Sequence, residues 1–99
     1  MSALQTPEVQ ALFRAIASCL TAAECEAFFE DVCTVKELQA MAQRLEVAKQ
    51  LRAGKNYNAV SADTGASTAT ISRVNRCLQY GGGGYRTVLD RMEEEDGNA

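Results

Sequence analysis

A short run of small, hydroxyl-bearing and cationic side chains, Thr68-Ala69-Thr70-Ile71-Ser72-Arg73-Val74-Asn75-Arg76, follows Gly65 and Ser67. The chemistry open to such a run is recognition rather than bond making. Hydroxyls and free N–H groups at a helix start bind phosphate oxygens, threonine methyls meet thymine methyls, and guanidinium groups grip phosphate or guanine. Ile71, Val74 and Leu78 recur at helical spacing, leaving Thr68, Ala69, Ser72, Arg73 and Arg76 off the buried stripe. Gly65 suits the positive φ of a tight turn, and Ser67 suits an N-cap. Two short helices joined at a glycine, the second exposing small polar and basic residues, make the sequence form of a helix-turn-helix. The expected contacts to double-stranded DNA are Ser67, Thr68, Ala69, Thr70, Ser72, Arg73 and Arg76, with Lys55 and Asn58 placed where the first helix of the pair crosses phosphates.

Other chemistries lack their residues. The chain contains no histidine, and Cys19, Cys25, Cys33 and Cys77 are irregularly spaced without a C-x-x-C pair. Neither a zinc site nor a Cys-His nucleophile can be assembled, so the cysteines read as reduced and mostly buried. Gly81 to Gly84 lack the lysine and the preceding strand of a phosphate loop. No catalytic residue, metal or cofactor is expected, and the chain does not read as an enzyme. With 46% hydrophobic and 23% charged residues the balance is globular. No apolar run is of bilayer length and no signal peptide is legible, so the expected location is the cytoplasm.

Charge is unevenly spread. From Arg44 to Arg91 there are eight basic and three acidic residues; residues 1–43 hold two basic and six acidic ones, and Glu93-Glu94-Glu95-Asp96 adds four negative charges. A cationic middle thus sits between acidic ends, although the net charge is −3. A local basic surface on an acidic protein is what a polyanion-binding module needs.

The elements that must position these residues are helical. Thr6-Pro7-Glu8 opens a first helix with Val9, Leu12, Phe13, Ile16 and Leu20 at helical spacing. Thr21-Ala-Ala-Glu24 and Thr34-Val-Lys-Glu37 are capping-box patterns that restart the chain. The third helix places Leu38, Met41, Leu45, Ala48 and Leu51 on one face before Gly54 stops it. Tyr57 to Asp63 forms the short fourth helix with Ala59 and Val60 inward, residues 67–79 the fifth, and Thr87 to Met92 a last one that fades into an acidic tail. No segment alternates as a half-buried strand does, so the fold class is all-α. The expected organisation is one domain over residues 1–99: dimerisation helices in 6–54, a helix-turn-helix in 56–79, a glycine hinge and last helix in 80–92, and a disordered acidic tail in 93–99.

Thr34-Val-Lys-Glu-Leu38, Met41 to Leu51, Gly65 to Leu78 and the glycine-rich Tyr80 to Tyr85 together closely resemble the YerC/YecD branch of tryptophan-repressor-like proteins, over roughly residues 8–92. The resemblance implies a six-helix subunit in an intertwined homodimer, with the fourth and fifth helices reading DNA as a transcriptional regulator, most plainly a repressor. It also implies a ligand pocket at Thr34, Arg44 and Arg73, which match the repressor's threonine and its two indole-sandwiching arginines. Val74 and Cys77 stand where the repressor has a glycine and a serine. A β-branched side chain beside the pocket should fill the ligand's space, which disfavours tryptophan as corepressor and leaves any small-molecule effector unassigned.

A second reading is a helical protein-interaction adaptor whose basic face is incidental. Such an adaptor flows through heparin or random duplex at low salt, whereas a DNA reader is retained. The glycine run raises a further expectation, that flexibility at Gly82 and Gly83 adjusts the spacing of two reading heads.

Overall fold

The computed structural model describes residues 3–97 and consists of six helices: α1 (Pro7–Ala17), α2 (Ala22–Val32), α3 (Val35–Arg52), α4 (Tyr57–Thr64), α5 (Thr68–Tyr80) and α6 (Gly84–Gly97). No strand occurs among the described residues, and the fold class is all-α. Each helix start before the glycine run is made by a local cap. Thr6 accepts from the Val9 N–H ahead of Pro7, Thr21 from Glu24, Asn56 from Ala59 and Ser67 from Thr70. At α3 the box is reciprocal, with the Glu37 carboxylate accepting the Thr34 N–H and the Thr34 hydroxyl accepting the Glu37 N–H. Gly54, at φ 92°, ends α3 as expected. The Lys55 N–H reaches the Gln50 carbonyl at 3.1 Å and the Gly54 N–H the Leu51 carbonyl at 3.0 Å, a Schellman arrangement.

The chain separates into two compact units, one ending at Leu38 and the other beginning at Gln39. The expected division at residue 54 therefore falls inside the second unit. In the first unit neither α1 nor α2 buries a residue: Leu12, Phe13 and Leu20 of the expected apolar stripe are 37%, 45% and 85% exposed, and Val32 is 52% exposed. The second unit has a core of Val47, Ala48, Val60, Ala66, Ile71, Val74 and Leu89, with Leu45, Leu51, Leu78, Tyr85 and Met92 packed against it. Burying an aliphatic side chain of this kind contributes roughly 1.5–3 kcal/mol. The core thus fixes α4 and α5 on the end of α3 and on α6.

Four expectations are corrected. The inner face of α3 is centred on Val47 and Ala48, while Met41 is exposed, because the helix packs through its second half and not along one continuous stripe. None of the four cysteines is buried: Cys19, Cys25 and Cys33 are half-buried and Cys77 is exposed, and all are free thiols. The last helix starts at Gly84 and runs through Glu93, Glu94, Glu95 and Asp96, so these residues are helical rather than disordered; residues 98–99 of the expected tail lie outside the described residues. Its anchor is Arg52, which bonds the Asp90 and Glu93 carboxylates and the Arg86 carbonyl. The bond to Asp90 raises the Arg52 guanidinium above its ordinary pKa and keeps it charged. Finally, the linker between the last two helices is only Gly81 to Gly83, since Gly84 already belongs to α6.

Candidate nucleic-acid interface

The α4–α5 pair is held by a dense turn. Gly65 adopts φ 73° and its N–H meets the Ser61 carbonyl at 2.9 Å. The Thr64 hydroxyl donates to the Val60 carbonyl at 2.7 Å and accepts the Ala66 N–H at 3.1 Å, while the Ser61 hydroxyl donates to the Ala66 carbonyl at 3.0 Å. Ala66 itself is 2% exposed. From α3, the Gln43 amide donates to the Thr64 carbonyl at 3.1 Å, which ties the turn to the longest helix. Buried turn polar groups are thereby paired, and the direction of α5 relative to α4 is set.

The Ser67 hydroxyl accepts the Thr70 N–H and donates to the Thr70 hydroxyl, both at 3.1 Å. The Ile71 N–H bonds the Ser67 carbonyl at 3.0 Å, which leaves the Thr68 and Ala69 N–H groups at the helix start, where partial positive charge gathers. Ile71 and Val74 are buried and Leu78 half-buried, so Thr68, Ala69, Ser72, Arg73 and Arg76 fall on one exposed face. Thr70 departs from this set: it is half-buried and its hydroxyl is engaged by Ser67, so it braces the cap rather than presenting itself. Asn58 is exposed on the first turn of α4, and Lys55 is exposed just before it. Arg73 and Arg76 make no ion pair among the described residues. Lys55 does, with Asp63 at 2.9 Å.

The three residues implied as a ligand pocket fare differently. Thr34 belongs to the first unit and its hydroxyl is engaged in the α3 cap. Arg44 is half-buried and Arg73 exposed, both in the second unit. Val74 is 1% exposed and belongs to the core. The exposed Cys77 instead lines an apolar cleft of about 450 Å³ with Leu45, Gly81, Tyr85 and Val88. A second, more polar cleft of about 490 Å³ is lined by Arg52, Asn75, Gln79 and Arg86, and neither Arg44 nor Arg73 contributes to it. No group of three or more metal-binding side chains occurs among the described residues, and no helix among them is long and apolar enough to cross a membrane. Sequence reasoning missed Gln43 and Asp63, whose partners lie 21 and 8 residues away and leave no local pattern.

The comparisons with known proteins agree with this geometry. The Trp repressor protein family matches residues 7–93. The uncharacterized protein YerC of Bacillus subtilis (strain 168) is 50% identical over 93 residues, covering 94% of this chain and 89% of the relative. The crystal structure of a TrpR-like protein from Eubacterium eligens ATCC 27750 superposes with a TM-score of 0.86 at 51% identity, covering 91% of this chain and 93% of that one. That of a candidate Trp repressor from Staphylococcus aureus gives a TM-score of 0.86 at 47% identity, covering 91% and 90%. The chain therefore belongs to the Trp repressor family, whose members are in general DNA-binding transcription regulators.

Proposed function

We propose that this protein is a sequence-specific transcriptional repressor, not an enzyme, that binds duplex DNA in the cytoplasm as a homodimer, with α5 of each subunit in a major groove. The observation that carries the reading is the single exposed face of α5, where Thr68, Ala69 and Ser72 stand beside the unpaired Arg73 and Arg76 behind a capped helix start. Small side chains there allow close approach to base edges, while Arg76 and Lys55 neutralise phosphates. Ser67 and Asn58 serve the backbone, and Thr70 serves by holding Ser67. Support for a dimer comes from α1 and α2, whose unburied apolar residues need a cover that a second copy supplies. Two reading heads on a two-fold axis address half-sites about 10 base pairs apart.

No tryptophan corepressor enters this reading. Thr34 is spent on a helix cap and Cys77 replaces the hydroxyl a ligand amine requires. The role of each contact is tested by substitution. Arg76→Ala weakens binding to all duplexes alike and flattens the salt dependence, Lys55→Ala weakens binding as well, and Thr68→Ala and Ser72→Ala chiefly alter sequence preference. Equal losses on selected and random duplexes for all four variants contradict the assignment.

A further inference from the structure

Asp63 is the one acidic residue between Asn56 and Tyr80, the span that forms α4, the turn and α5. It lies in the last turn of α4, where the helix dipole disfavours a carboxylate. Neither the cap at Gly65 nor the turn bonds through Thr64 and Ser61 use it. Its partner is the Lys55 ammonium, at 2.9 Å, with the two side chains 45% and 48% exposed. Lys55 follows the α3 stop, so the pair reaches along α4 from one end to the other. Arg73 and Arg76, by contrast, make no ion pair among the described residues.

We infer that Asp63 is a specificity-determining residue of the DNA interface, holding the Lys55 ammonium back from phosphate until a correctly docked duplex draws it away. The inference rests on the DNA-binding reading above. Binding to an arbitrary duplex draws almost wholly on phosphate neutralisation and counterion release. An internally paired lysine contributes little to it, and the neighbouring carboxylate repels the same phosphates. When base contacts by α5 hold the duplex in register, Lys55 exchanges its carboxylate for a phosphate. The pair therefore taxes random contacts more than selected ones and widens the ratio between them, a device of selective weakening.

The test is a salt titration of binding to a selected and a random duplex by wild type, Asp63→Asn, Asp63→Glu, Lys55→Ala and the double variant Lys55→Ala/Asp63→Asn. Circular dichroism melting confirms that each is folded. Releasing one lysine to phosphate steepens the salt slope on random duplex by about 0.9 and raises affinity there about five-fold at 0.15 M salt and about fifteen-fold at 0.05 M. The gain on the selected duplex is smaller, Asp63→Glu keeps the wild-type slope, and Asp63→Asn adds little in the Lys55→Ala background. If wild type binds with a salt dependence that Asp63→Asn leaves unchanged, the inference fails while the DNA-binding reading stands. Equal gains from Asp63→Asn with and without Lys55 also overturn it, because Asp63 then acts through its own charge alone. If wild type binds no duplex at 0.05 M salt, the DNA-binding reading falls and this inference with it.

Discussion

Thr34 and Glu37 bond each other twice: the Thr34 N–H donates to Glu37 Oε1 at 2.8 Å, and the Glu37 N–H donates to Thr34 Oγ1 at 3.1 Å. The backbone bond from Thr34, followed by that of its side chain, holds the Glu37 carboxyl below the ordinary carboxylate range. A folded-state pKa below the unfolded one means stability that is full above the unfolded value, near 4.3, and is lost as pH falls through the folded value. Urea midpoints measured from pH 6 down to pH 3 should therefore fall, and Glu37→Gln should fall less steeply over the same window because its amide does not titrate.

The turn and cap before α5 make a second prediction. Ser67→Ala removes the acceptor for the Thr70 N–H and should cost about 1 kcal/mol. Gly65→Ala meets no atom within 4 Å but must adopt φ 73°, and should cost roughly 1 kcal/mol or more, with Gly65→Asn milder. Both are read from denaturant midpoints at constant slope.

Within the glycine run the three linker positions should respond differently. A Cβ on Gly81 would collide with the Cys77 carbonyl, whereas one on Gly82 meets open space and Gly83 sits at φ 87°. Gly81→Ala should thus destabilise the protein more than Gly82→Ala. If the linker sets the spacing of the reading heads, Gly82→Ala with Gly83→Ala changes DNA affinity beyond its effect on stability; unchanged affinity removes that idea.

Much of this was legible locally. Thr6, Thr21, Thr34 and Ser67 cap helices through partners three residues on, and Gly54 and Gly65 stop them, so pattern and structure coincide there. What escaped depends on residues far apart. Val47 becomes the centre of the α3 face only because α4 and α5 pack on it, and Glu93 meets Arg52, 41 residues earlier in the chain, only once the helices are assembled. Thr70 carries a hydroxyl like its neighbours; its bond to Ser67 is local, and only packing shows that it is half-buried.

The exposed apolar stripe of α1 predicts a dimer. Phe13→Asp together with Leu12→Asp places charge where a second copy must pack and should convert a dimer to a monomer in sedimentation equilibrium, with loss of binding to a palindromic duplex. A wild-type monomer at micromolar concentration contradicts the arrangement.

The most direct test of the central claim is selection of duplexes from a random DNA pool by the purified protein at near-physiological salt, with and without tryptophan. The account predicts one palindromic motif, with half-sites about 10 base pairs apart, enriched equally in both conditions. Absence of any enriched motif, with no retention on heparin or random duplex at low salt, would contradict it and favour a protein-binding adaptor.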